Sequence, residues 1–170
     1  MEAEVKNKSD NYIQLKKDED ILRLGIRDED GNDTGNFLEF DLQDIELPLR
    51  LQTLLEEDKK NRANLRNQYV VIDKKQDHKG KKLYSSNEEA KIKALNEFYK
   101  KEVEIYNLFL GENGVQKILN GRKLTWTVLN EIDEIIEKII VPKLKVNAEN
   151  IKKKIIKKYS NNTKKDDVIE

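Results

Sequence analysis

The sequence predicts a mainly α-helical single-domain bundle carrying one N-terminal β-hairpin. Three observations lead there. From Leu47 onward apolar residues recur at helical spacing, on one face of each segment. Between Ile21 and Leu42 they alternate instead, as in half-buried strands. Charged residues, 39% against 36% hydrophobic, fall mostly on the faces opposite those stripes, so they read as solvated helix surface and not as a disordered chain. At 170 residues one thin core is expected, with a disordered stretch at 1–11, a domain over 12–160 and a flexible tail over 161–170.

The hairpin, at about 21–42, alternates Leu22, Leu24 and Ile26 with Ile21, Arg23 and Gly25, then alternates again through Leu38, Phe40 and Leu42, with a glycine-rich polar turn between. Counting from Asp28, that turn meets an EF-hand pattern at Asp28, Asp30, Asn32 and Glu39. However, Asp33 stands where the sharp turn needs glycine and the flanks alternate like strands, so an ordinary turn is preferred. A long helix follows, with Pro48 in its first turn and one face made of Leu47, Leu51, Leu54, Leu55, Asp58, Arg62, Leu65, Tyr69 and Ile72. Asp58 and Arg62 either pair across one turn or mark where the helix leaves the core. A solvated loop spans 73–82.

Ser86 with Glu89 forms a capping-box pattern opening a helix from about Asn87 to Leu110, with Ile92, Leu95, Phe98, Tyr99, Val103, Tyr106, Phe109 and Leu110 inward. Three of seven glycines lie in the next stretch, FLGENGVQKILNGRK. It lacks the preceding strand and the spacing of a phosphate loop, so it reads as a corner: Gly111 ends one helix, Asn113 with Gln116 begins a short one and Gly121 ends that, leaving Gly114 unexplained. A further helix places Trp126, Leu129, Ile132, Ile135, Ile136, Ile139 and Ile140 inward and stops at Pro142. Asn147 then caps a last helix with Ile151, Ile155, Ile156 and Tyr159 in one stripe, and the chain is loose after Ser160.

The inventory of reactive groups is sparse. Without cysteine there is no disulfide, thiolate site or thiol nucleophile, and the composition suits a reducing cytoplasm. His78, the single histidine, lies in a polar loop between Asp77 and Lys79. Carboxylate runs such as Asp18-Glu19-Asp20 and Glu56-Glu57-Asp58 read as exposed segments. No catalytic residue, cofactor or metal is expected, nor a signal peptide or a membrane span.

Net charge is zero but polarised. Fourteen Asp or Glu between Asp18 and Asp58 face only three arginines, and nine lysines between Lys143 and Lys165 face Glu149 alone. Such polarity can steer partners, or copies of the chain head to tail. For the lysine-rich end a solvated or partner-docking helix ranks first, nucleic acid second and a membrane surface third, because arginine and stacking aromatics other than Tyr159 are missing.

The segments DIELPLRLQTLLEE, NEEAKIKALNEFYKKEVEIYNLFLGENGVQKILNGRK and VPKLKVNAENIKKKIIKKYS resemble the tail assembly chaperones of siphophages and prophages of low-GC Gram-positive bacteria, over about Ile21 to Ser160. Phe109, Gly111, Glu112, Lys117, Ile118, Gly121 and Arg122 carry most of the likeness. The resemblance implies a non-enzymatic protein of the host bacterial cytoplasm that binds the helical tape measure protein, helps recruit tail tube protein and is not retained in the mature virion. The expected partner-binding groove is lined by Leu51, Leu54, Leu55, Phe98, Tyr106 and Phe109, flanked by Gly111 and Arg122 at the glycine corner. Self-association is a further expectation; the alternatives are a nucleic-acid-binding regulator using the lysine-rich helix and a structural tail protein.

Overall fold

The computed structural model describes residues 20–163, with side chains through Lys157. The expectations for 1–11 and for 164–170 lie outside the described residues, as does any statement on the side chains of Tyr159 and Ser160. Strands β1 (Ile21–Arg27) and β2 (Asp33–Asp41) pair antiparallel, Ile21 opposite Asp41 and Leu24 opposite Leu38, with an irregularity between Gly25 and Arg27. The pleat sends Leu38 and Phe40 into the core and leaves Ile21, Glu39 and Asp41 outside. The acidic turn closes on itself: Asp28 Oδ1 accepts from the amides of Asp30 (3.0 Å) and Asn32 (2.8 Å), while Glu39 stands in β2 opposite Arg23.

Helix α1 (Leu47–Asp73) carries Pro48 in its first turn, as the spacing predicts, and packs along α2 (Ser86–Leu110). Its inward stripe holds Leu47, Leu54 and Ile72, but Leu55 turns outward and is 56% exposed. The capping box at the start of α2 is displaced by one residue from the expected pair. Ser85 accepts from the Glu88 amide and the Glu88 carboxylate accepts from the Ser85 amide, because Ser85, not Ser86, has the extended backbone that a cap requires.

The glycine stretch is the corner it was expected to be, with Gly111 in its expected place and different caps on the short helix, which ends on a left-handed Asn120 one residue before Gly121. Gly111 closes α2 at φ 90°. Helix α3 (Gly114–Leu119) begins after Asn113, which is left-handed and caps nothing with its side chain. The cap comes from the neighbouring helix: Asn107 Oδ1 accepts from the Val115 amide at 2.8 Å, and Asn107 Nδ2 donates to Gln116. Gly114 is explained by contact. It is buried where a Cβ would stand 2.5 Å from Leu110 Cβ, so only glycine lets α3 lie against the end of α2.

Helix α4 (Trp126–Ile135) is capped by Thr125 and runs through a π turn (Ile136–Ile140) directly into α5 (Val141–Thr163). This corrects three expectations: Pro142 does not stop the helix, Asn147 does not cap a new one, and the chain remains helical past Ser160 to Thr163. Two causes converge on the π turn. A regular helix would bring the proline ring against the Lys138 carbonyl, and a wider turn relieves that clash. The core residues Ile132, Ile136, Ile140 and Leu144 also recur every four residues, a spacing that drifts about 40° per step around a regular helix. The wide turn, in which the Val141 amide donates to Ile136, returns Ile140 and Leu144 to the buried side. Trp126 and Ile139, expected inward, are 46% and 40% exposed.

One continuous core joins the hairpin face, the inner halves of α1 and α2, α3 and the α4–π–α5 rod. Among the described residues, no further helix or strand packs across the cleft between the outer halves of α1 and α2, beyond Arg62 and before Phe98.

Candidate functional site

The most unusual chemistry of the molecule is a polar junction inside this core, where α1, α2 and α4 meet. Glu102 sits four residues from both Phe98 and Tyr106 on the apolar stripe of α2, and is completely buried. Its Oε1 accepts from Asn61 Nδ2 at 2.6 Å, and the same amide also reaches the Phe98 carbonyl at 3.2 Å. Its Oε2 is buried without a hydrogen-bond partner. Burial pushes the Glu102 carboxyl up to about 8, the Asn61 bond pulls it down, and the nearby Asp58 charge opposes a second negative charge. At neutral pH Glu102 is therefore mostly the neutral acid.

Arg62 binds the rest together. Its Nε donates to Asp58 at 2.6 Å and its terminal nitrogen to Asp133 at 3.1 Å, while the guanidinium lies 4.9 Å from the Trp126 ring centroid. Burial opposes the guanidinium charge, but the Asp58 carboxylate more than compensates and the group is held protonated. The Tyr106 hydroxyl donates to the other oxygen of Asp133. Asp133 is raised above the ordinary carboxylate range by burial, against the pull of Tyr106 and Arg62; Tyr106 is raised by burial and by Asp133. Of the two readings of Asp58 and Arg62, the pairing across one turn is the one that forms, at 2.6 Å, and both side chains are half-buried at the edge of the core. The network ties three helices together in one register, since its groups are paired with one another across α1, α2 and α4, with Asn61 at the edge of a hollow on the α1–α2 surface.

Of the eight residues expected to line a groove, Leu54, Phe98, Tyr106 and Phe109 are 1–3% exposed and belong to the core. That groove is closed: the hairpin and α4 fill it, with Phe109 stacked 5.5 Å from Phe40 and Phe98 6.0 Å from Trp126. Leu51 is half-buried, Leu55 is exposed on another side of α1, and Gly111 and Arg122 lie apart. Gly111 borders a hollow beside β2. Arg122 donates to the Leu119 carbonyl (3.2 Å) and pairs with Glu29 of the hairpin turn (2.5 Å).

Open concave surface exists elsewhere. A cleft of about 610 Å³ runs between the outer halves of α1 and α2, floored by Val71, Ile72, Ala90 and Ala94 and rimmed by Lys93 and Glu97. A second, of about 580 Å³, lies on the other side of α2, where Leu95, Tyr99 and Val103 face Leu119, Leu124 and Arg122. Arg122 is thus the one expected groove residue that borders a large open cleft. Among the described residues no group of three or more His, Asp or Glu could hold a metal ion, and no helix is long and apolar enough to cross a membrane.

No protein-family model, curated protein or solved structure matches the chain.

Glu102, Asn61 and Asp133 escaped the sequence reading. A charged residue flanked at four residues by two aromatics of one stripe was the available signal for Glu102. Asn61 and Asp133 carried none, since their partners lie 41 and 27 residues away.

Proposed function

We propose that this protein is a non-enzymatic escort for a long helical polypeptide, a tail assembly chaperone that holds the tape measure protein and helps recruit tail tube subunits in the host bacterial cytoplasm, and that it leaves before the particle is complete. The observation that carries the reading is the cleft between the outer halves of α1 and α2. Among the described residues nothing covers this cleft, so apolar surface is left open, and Val71, which lines it, is more than half exposed. Ala90 and Ala94, one turn apart on its floor, leave room for a guest helix to approach closely, which is how amphipathic helices are held in grooves. The resemblance of the glycine corner to such chaperones names the guest.

Co-expression tests it directly. The tape measure protein is expected to stay soluble with this chain and to precipitate with an Ala94→Glu variant of unchanged helicity; a tape measure protein equally soluble or insoluble in both cases overturns the proposal. A second reading, a nucleic-acid-binding regulator, rests on the exposed Lys152, Lys153 and Lys154 of α5. A salt-sensitive electrophoretic shift abolished by reversing those charges supports it.

A further inference from the structure

We propose that two copies of this chain form a closed, two-fold dimer by exchange of helix ends, the tip of α5 from each copy seated in the acidic hollow at the hairpin end of the other. The proposal stands independently of the escort function.

Its first support is a helix that leaves the core. The root of α5 is fastened by the buried Leu144 and by Asn147, whose side-chain amide donates to the Leu42 carbonyl. Past Asn150 the side chains turn outward: Ile155 and Ile156 are 50% and 57% exposed, and Lys152, Lys153 and Lys154 are exposed around them. An isolated helix end of this length is marginal in water, and two exposed isoleucines beside the half-buried Ile151 form a stripe suited to an apolar surface.

The second support is a surface of opposite charge. A hollow of about 310 Å³ opens between the start of β1, the end of β2 and the end of α2. Ile21 and Leu108, 41% and 55% exposed, give it apolar walls, and Glu39, Asp41 and Asp44 line it with carboxylates. Among the described residues that line it, Arg50 is the one cation, and it is already paired with Asp44. A basic helix with an isoleucine stripe matches it in both respects, whereas nucleic acid or an anionic membrane would match the helix and leave the hollow unused.

The third support is position. Asn147 anchors α5 to Leu42, and Asp41, the next residue, lines the hollow, so the helix root and the hollow share one end of the molecule. Two copies related by a two-fold axis can therefore place each tip at the other's root. Such an interface is self-complementary, uses the contact twice and stops at two copies, in contrast to an open head-to-tail chain.

Sedimentation and light scattering of the full chain should give twice the 20.0 kDa chain mass, with dissociation favoured by salt. Two variants separate the surfaces: Glu39→Lys with Asp41→Lys in the hollow, and Lys152→Glu, Lys153→Glu and Lys154→Glu in the tip. Each alone should weaken dimerisation by about tenfold or more, with helicity unchanged. Mixing the two should restore it, because every contact in the mixed dimer pairs opposite charges, an outcome that misfolding cannot produce. A monomer at all concentrations, an open series of larger species, a dimer indifferent to either variant, or two variants that fail to complement each other overturns the proposal. Binding of α5 to DNA or to anionic vesicles by a chain that stays monomeric does so as well.

Discussion

Glu102 is the residue at which the core pays for its register. Its native carboxyl titrates near 8, far above its ordinary 4.5, so the folded chain holds a proton that the unfolded chain releases across that interval. Stability attributable to this group is therefore greatest below about pH 4.5, falls as pH rises through the interval, and is level above 8. Glu102→Gln keeps the shape and removes the titration. It is expected to raise the unfolding free energy at pH 8 more than at pH 5, the difference being on the order of a few kcal/mol. Denaturant melts of both proteins at the two pH values measure this, and an equal effect at both would contradict the assignment. At Gly114 the expectation has the opposite sign. An added methyl meets Leu110 Cβ at 2.5 Å, a contact neither backbone can yield cheaply, so Gly114→Ala should cost about 1–3 kcal/mol in urea unfolding, despite alanine's better helix propensity.

At the scale of elements, helix boundaries follow backbone geometry more closely than residue type. Ser85 and Ser86 are both acceptable caps, and the first performs the task because its φ and ψ, −71° and 166°, are extended. Ser85→Ala should therefore cost about 1 kcal/mol. Ser86→Ala, which loses only exposed bonds to Asp77 and the His78 amide, should cost less; thermal melts of the pair order them. The α4–π–α5 rod carries the same lesson. Proline in a helical pattern reads as a stop, yet here the register of Ile132, Ile136, Ile140 and Leu144 demands a wide turn at the point where proline tolerates one.

For the whole molecule, packing is uneven. The inner halves of α1 and α2 share one core with the hairpin, α3 and α4, while among the described residues the outer half of the α1–α2 pair is only two helices thick. Hydrogen exchange should accordingly be slowest at amides of Leu54–Arg62, Phe98–Tyr106 and Leu129–Ile136 and distinctly faster over Tyr69–Asp73 and Ser86–Ala90. Uniform protection along α1 would show that the outer half is covered by something more. The uneven packing is also what leaves clefts on α2 and projects α5 from the body, so the surfaces available to partners are those the core did not reach.

The local pattern of the chain determined a hairpin followed by long helices, the glycine corner, the Asp58–Arg62 pair and the polarity of charge, because each depends on residues within a turn or two of one another. Which apolar stripe became interior was decided by tertiary structure. Leu54, Phe98, Tyr106 and Phe109 look the same in sequence whether they line a groove or a core, and only the arrival of the hairpin and α4 buries them. The buried Glu102, the glycine at 114 and the π turn before Pro142 likewise exist because elements distant in sequence meet there, and a meeting of that kind leaves no local periodicity to read.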